Sequence, residues 1–203
     1  MDATIPIPIR VATIALVSLV WLIFYFFFNR LKIDPRRRRD FGLPFDKKIP
    51  FVPIFAWVYF SIAIFVLHPF LILSDARQFY WMLSCFMLNT IIFSLIHYII
   101  PSKVERMEHT NTGGIAGKML RQWQKTCQPY GNFPSMHTGF SVPVVIANFM
   151  ALGAIGGSIT LVWAALIALS TLLLKQHYIL DMLAALALGM LTSALMFWLI
   201  VYI

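Results

Sequence analysis

Asn132-Phe133-Pro134-Ser135-Met136-His137 and Lys175-Gln176-His177-Tyr178-Ile179-Leu180-Asp181 close the two ends of a mostly apolar run, residues 138–174. One crossing of bilayer hydrocarbon takes about 20 residues, so this run is long enough to cross and return. Gly156-Gly157 inside it signals a tight turn. The stretch therefore reads as a membrane hairpin with a histidine at each side of its mouth. His177 and Asp181 are four residues apart and on a helix share a face. A carboxylate there accepts the Nδ1 proton of the imidazole and leaves Nε2 as a free nucleophile. His137 begins the hairpin, so the fold back brings it near His177. Two histidines and one aspartate at one membrane surface point to an acid, a nucleophile and an orienting group.

The rest of the chain agrees with a membrane reading. Of 203 residues, 60% are hydrophobic and 12% charged, with mean hydropathy +0.81. Six crossings can be drawn, at about 7–28, 51–73, 79–100, 135–155, 159–176 and 179–202. The expectation is an all-α, six-transmembrane-helix bundle forming a single membrane domain, residues 1–203. Arg and Lys, not a small-residue cleavage site, follow the first run, so it reads as a retained helix. Pro69 predicts a kink near His68 in the second span. Residues 117–126 read as a short interfacial helix. Ala185, Gly189 and Ser193 form a small-residue stripe that lets another helix approach closely.

Six crossings place both termini on one face and the hairpin mouth on the other. Of the 16 Lys and Arg, all but Arg10 and Arg77 then lie on the mouth's side. By the positive-inside rule that face is cytoplasmic. The net charge of +8 points to phosphate headgroups or an anionic leaflet. The run Arg36 to Arg39 reads as an anionic-lipid contact and topology determinant. No basic motif interleaved with aromatics argues for nucleic acid. Cys85 and Cys127 make neither a disulfide pattern nor a metal spacing.

Pro134 and Ser135 look like a helix start, with Ser135 as cap. A helix N-terminus offers free N–H groups and a positive dipole end, where an anion such as phosphate can sit. His68 and His97 read as locally satisfied span residues, and His109 as a loop residue.

At these residues the chain resembles the type 2 phosphatidic acid phosphatase superfamily of six-span membrane enzymes. Pro134-Ser135-Met136-His137 is similar to its Pro-Ser-Gly-His block. Ser170, His177 and Asp181 match its Ser-Arg, five residues, His, three residues, Asp block in type and spacing. Met136 replaces Gly and Thr171 replaces Arg; Lys175, read as one helical turn beyond Thr171, is the substitute cation. In the Lys, six residues, Arg-Pro block, Arg106 fits the Arg, Met107 replaces Pro and Ile99 replaces Lys, with Lys103 as substitute. A juxtamembrane anchor is the competing reading of Lys103 and Arg106. His177-Tyr178-Ile179-Leu180-Asp181 also resembles the inositol-phosphorylceramide and sphingomyelin synthase branch.

The resemblance implies that His177 attacks phosphorus and forms a phosphohistidine. Asp181 holds its tautomer, and His137 serves as acid and then base. Ser135, Lys103, Arg106 and Lys175 neutralise the phosphoryl oxygens. No metal or other cofactor is called for; a zinc site on the two histidines and the aspartate is the competing reading. The expected partners are the bilayer and a phospholipid or polyprenyl phosphate substrate. The expected activity is that of a lipid phosphatase acting on a phosphatidate, phosphatidylglycerophosphate or polyprenyl diphosphate. The alternative is a phosphotransferase using an alcohol acceptor lipid. A transport path is disfavoured, because spans one to four hold no buried charge pairs. The resemblance implies a mouth facing the periplasm, exterior or lumen, opposite to the charge rule.

Overall fold

The computed structural model describes residues 3–31, 33–106, 114–127 and 131–202. The chain is an all-α membrane bundle. Helix α1 is Ile7–Arg30. Three short helices, α2 (Ala56–Phe60), α3 (Ile62–Leu67) and α4 (Pro69–Ile72), make the second pass. Then come α5 (Ala76–Ile99), α6 (Gly114–Thr126), α7 (Met136–Leu173) and α8 (Ile179–Tyr202). Among the described residues, five helical stretches are long and apolar enough to cross a membrane, and one of them is the 38-residue α7.

Helix α7 is the hairpin. As a straight rod it would be about 57 Å long. Instead the rings of His137 and His177, one at each end, have centroids 5.5 Å apart. The break is at Gly153, with φ 65° and ψ −163°, a conformation open almost only to glycine. The expected turn at Gly156-Gly157 is thus corrected. Both of those glycines are helical and begin the return leg. A methyl group on Gly157 would strike the ring of Phe149 on the outgoing leg. The sixth pass is supplied by splitting α7 at this glycine.

The second pass is interrupted where expected and once more. Pro69 has no N–H to donate to Phe65, and the His68 Nδ1–H reaches that carbonyl instead, at 2.7 Å. Its Nε2 lies 3.0 Å from Asn148 Oδ1 on α7. The second break falls at Ser61, whose hydroxyl donates to Val58 O and accepts from the Trp163 indole.

The core lies between α3, α4, α5 and both legs of α7, where Phe65, Phe70, Phe79, Phe86, Val144 and Ile167 are buried. Large apolar residues on α1 and α8, such as Leu19, Ile23 and Leu191, face outward, as lipid contact allows. The small-residue stripe on α8 packs as expected. Gly189 approaches the Gly139 carbonyl so closely that a Cβ there would sit 2.6 Å from it. The N-terminal segment pairs with the α4–α5 turn, through Ile5 N–H to Ser74 O and Arg10 Nη1 to Leu71 O. These contacts are at the end of the bundle away from the histidines.

At the mouth, loops tie the helices together. Strand β1 (Arg39–Asp40) pairs in parallel with β2 (Ser102–Lys103). Val52 N–H donates to Leu173 O. Helix α6 covers part of this end, burying Gly117 and Leu120 and exposing Lys118 and Lys125. A short helix is expected over residues 117–126; the observed one starts three residues earlier, at Gly114, and has an apolar and a basic face.

Candidate active site

Asn132 to His137 is positioned from α5 and the segment after it. The buried Ser102 hydroxyl accepts the N–H groups of Asn132 and Phe133, both at 2.8 Å. His97 Nε2 donates to Pro134 O at 2.9 Å. Ser135 precedes α7 and has extended backbone, so the N–H groups of the first helical turn point toward the mouth.

The second half forms where the return leg ends. Helix α7 stops at Leu173 and Lys175 has φ 53°. Thr171 O then accepts the N–H groups of Gln176 and His177. Helix α8 starts at Ile179, so His177 precedes it; the expected shared helical face is not how His177 and Asp181 meet. Asp181 lies in the first turn of α8, where a carboxylate suits the dipole, and its Oδ2 accepts the Tyr178 N–H at 2.8 Å. The same oxygen lies 3.4 Å from His177 Nδ1. That is ion-pair range but longer than a charge-assisted hydrogen bond of about 2.8 Å. Asp181 O accepts the Ser135 N–H at 3.0 Å, joining the two blocks through backbone.

His137 and His177 meet edge to face, and Tyr59 tilts over His137 at 4.5 Å between centroids. Both histidines line a cavity of about 70 Å³ together with Arg106, His97, Ser94, Asn132 and Gln176. Ser135 Oγ, Ser94 Oγ and His137 Nδ1 are buried and lack a hydrogen-bond partner among the described residues. Orphaned polar groups of this kind are costly unless something polar joins them.

Of the expected site residues, His137, His177, Asp181, Ser135 and Arg106 are brought together. Arg106 reaches the cavity from beyond β2, and its Nη1 donates to Cys127 O at 2.6 Å, just past the end of α6. Burial pulls its guanidinium down from the usual range, countered by Tyr59, Tyr25 and Cys127; arginine stays charged nonetheless. Lys103 and Lys175 are corrections. Lys103 is exposed, 3.7 Å from Asp40, and does not line the cavity. A helix continuous from Thr171 would put Lys175 one turn along on the same face. The helix ends first, and the Lys175 ammonium donates to Asp46 O at 2.8 Å.

Three residues at the site were not singled out from the sequence as part of it. Asp46 holds the second block from the loop after α1, and Ser102 holds the first. His97, read only as a span residue, fixes the Pro134 carbonyl and lines the cavity. None of them sits in a repeating pattern or a motif, so nothing in the sequence marked them as part of the site. His109 lies outside the described residues. Cys127, buried after α6, accepts from the Tyr25 hydroxyl at 2.9 Å, and burial pushes its thiol above the ordinary range. No three His, Cys, Asp or Glu side chains among the described residues converge as metal ligands would.

The profile of the PAP2 superfamily matches residues 93–203, from within α5 to the C-terminus and across both histidine blocks. No curated protein and no solved structure matches the chain. The match takes in more than half of the sequence, and the chain therefore belongs to the PAP2 superfamily, as a membrane lipid enzyme of the phosphatase or phosphotransferase type.

Proposed function

We propose that this protein is a lipid phosphatase that works through a phosphohistidine on His177. The observation that carries the reading is the meeting of His137 and His177, 5.5 Å apart at a buried polar cavity, with Asp181 behind His177. With Nδ1 toward the carboxylate, His177 presents Nε2 to the phosphorus. Nε2 forms the P–N bond as the P–O bond to the lipid alcohol, or to a phosphate leaving group, breaks. His137 donates its proton to the departing oxygen. It then takes a proton from water, whose oxygen displaces His177 and releases phosphate. Arg106, the Ser135 hydroxyl and the N–H groups at the start of α7 hold the phosphoryl oxygens. Substrates of the phosphatidate, phosphatidylglycerophosphate and polyprenyl diphosphate types fit this chemistry.

The test is phosphate release by purified protein in detergent, with EDTA present and His177→Ala as control. Release that needs His177 and survives EDTA is expected. Release untouched by His177→Ala sinks the mechanism. The pattern His177-Tyr178-Ile179-Leu180-Asp181 favours a second reading, a phosphotransferase with an alcohol-bearing lipid in place of water. Release that depends on added lipid alcohol would establish that reading instead.

A further inference from the structure

Helix α5 lines the polar cavity with Ser94 and His97, three residues apart and so on one side of the helix. His97 spends its Nε2 proton on Pro134 O. Ser94 is 1% exposed, and its Oγ is buried with no hydrogen-bond partner among the described residues. A buried hydroxyl on a membrane helix can donate to a carbonyl three or four residues back along its own helix. Thr90, one turn before Ser94, does so to Phe86 O. Ser141 does so to His137 O, Ser170 to Ile167 O and Ser193 to Gly189 O. On these helices, among the described residues, Thr138 is the other buried hydroxyl without a partner. The carbonyl four residues before it is Pro134 O, which His97 takes, and Thr138 does not line the cavity. Ser94 does.

The cavity is also short of positive charge. Arg106 is the one lysine or arginine among the described residues that line it, and its Nη1 already donates to Cys127 O. A phosphoryl group brings several strong acceptor oxygens, more than one guanidinium fork can satisfy. Neutral donors have to supply the rest.

We propose that Ser94 is a further phosphate-binding residue of this site, its hydroxyl donating to an oxygen of the bound phosphoryl group. This rests on the phosphatase reading, which takes that group to lie at His137 and His177. The hydroxyl bears the desolvation cost of its burial and recovers it when an anion accepts its proton. A bond of that kind is charge-assisted, shorter and stronger than one between neutral groups. It also puts a donor on α5 without a lysine inside a membrane-spanning helix, where a charge is costly.

The test titrates tungstate, a tetrahedral oxyanion, into the purified full chain in detergent by calorimetry, beside phosphate release from the lipid phosphates named above. Ser94→Ala is expected to weaken tungstate binding and to lower kcat/KM, each by about 10- to 10²-fold, the worth of one hydrogen bond to a charged group. Its thermal midpoint is expected to equal or exceed the parent's, because an unpaired buried hydroxyl is removed and Ala suits a helix. Thr90→Val deletes a hydroxyl already spent on Phe86 O and is expected to bind tungstate as the parent does. Parent-like binding in Ser94→Ala overturns the proposal. So does a lowered midpoint in that variant, which would mean that the hydroxyl is bonded within the protein. An equal loss of affinity in Thr90→Val, or no tungstate binding by the parent, overturns it too. Binding that Ser94→Ala weakens, with no phosphate released from any of the lipids, would keep Ser94 in an anion site and remove the phosphatase reading. Release that needs His177, with parent-like binding in Ser94→Ala, would remove Ser94 and keep that reading.

Discussion

Asp46 Oδ1 accepts the backbone N–H of Ile179 at 3.0 Å, across 133 residues of chain. Its other oxygen accepts Leu43 N–H at 2.7 Å, and its own carbonyl accepts the Lys175 ammonium. One buried carboxylate thus fastens the loop after α1 to the first turn of the helix that carries Asp181. Replacing it by Ala removes the acceptor of two part-buried N–H groups, at a cost of about 1 kcal/mol each. Asp46→Ala is expected to lower the unfolding midpoint and to cut kcat more than KM, because it shifts His177 and Asp181 without touching the phosphate. Thermal unfolding and steady-state phosphate release check this; a parent-like kcat in a stably folded variant would count against a positioning role.

Three basic residues share one face but not one role. Arg106 lines the cavity, whereas Lys103 sits beside Asp40 and Lys175 beside Asp46 O. Arg106→Ala is expected to lower kcat/KM by about 10²-fold or more, as loss of a preorganised charge does. Arg106→Lys is expected to recover little, since one ammonium replaces a fork that also reaches Cys127 O. Lys103→Ala should stay close to the parent rate. A large loss in Lys103→Ala with Arg106→Ala intact would reverse the assignment.

Covalent labelling separates the two histidines. With a radiolabelled phosphoryl donor, His177→Ala is expected to leave no acid-labile phosphoprotein. His137→Ala is expected to slow release by about 10²–10⁴-fold, the usual share of a general acid–base group. Asp181→Asn should retain the fold and lose activity, because the amide presents the wrong partner to Nδ1. Labelling that persists in His177→Ala would place the nucleophile elsewhere.

The hairpin makes a stability prediction with two distinct causes. At Gly153 no atom lies within 4 Å of where a Cβ would go, so Gly153→Ala acts through backbone strain alone. About 1–3 kcal/mol is the expected cost at that φ and ψ. At Gly189 the neighbour is the Gly139 backbone carbonyl, which cannot swing aside. Gly189→Ala should cost about 1–3 kcal/mol through overpacking. Denaturation in mixed micelles measures both. A neutral Gly189→Ala would mean that α7 and α8 are less closely packed than described.

Much of the bundle and the centre of the site were legible in the residues alone. Hydropathy marks the passes because bilayer thickness sets their length, and every backbone amide inside must be paired within a helix. His137, His177 and Asp181 stood out because ionisable groups at span ends are costly, and a hairpin returns its ends to one place. The turn was displaced by only a few residues, since Gly153, Gly156 and Gly157 look alike in sequence and only the backbone angles tell them apart.

Tertiary structure decided which groups face the cavity. Lys175 looked equivalent to a motif arginine until the helix ended before it and Asp46 drew its ammonium away. Asp46 and Ser102 act through hydrogen bonds between loops distant in sequence, which follow no period of 2 or 3.6 residues. An apolar cavity of about 350 Å³ arises where α1, the second pass, α5, α6 and α7 meet, so no single segment announces it. Spacing along the chain determined the chemistry available here, because it is local; packing between distant segments determined which cation, which clamp and which space that chemistry is given.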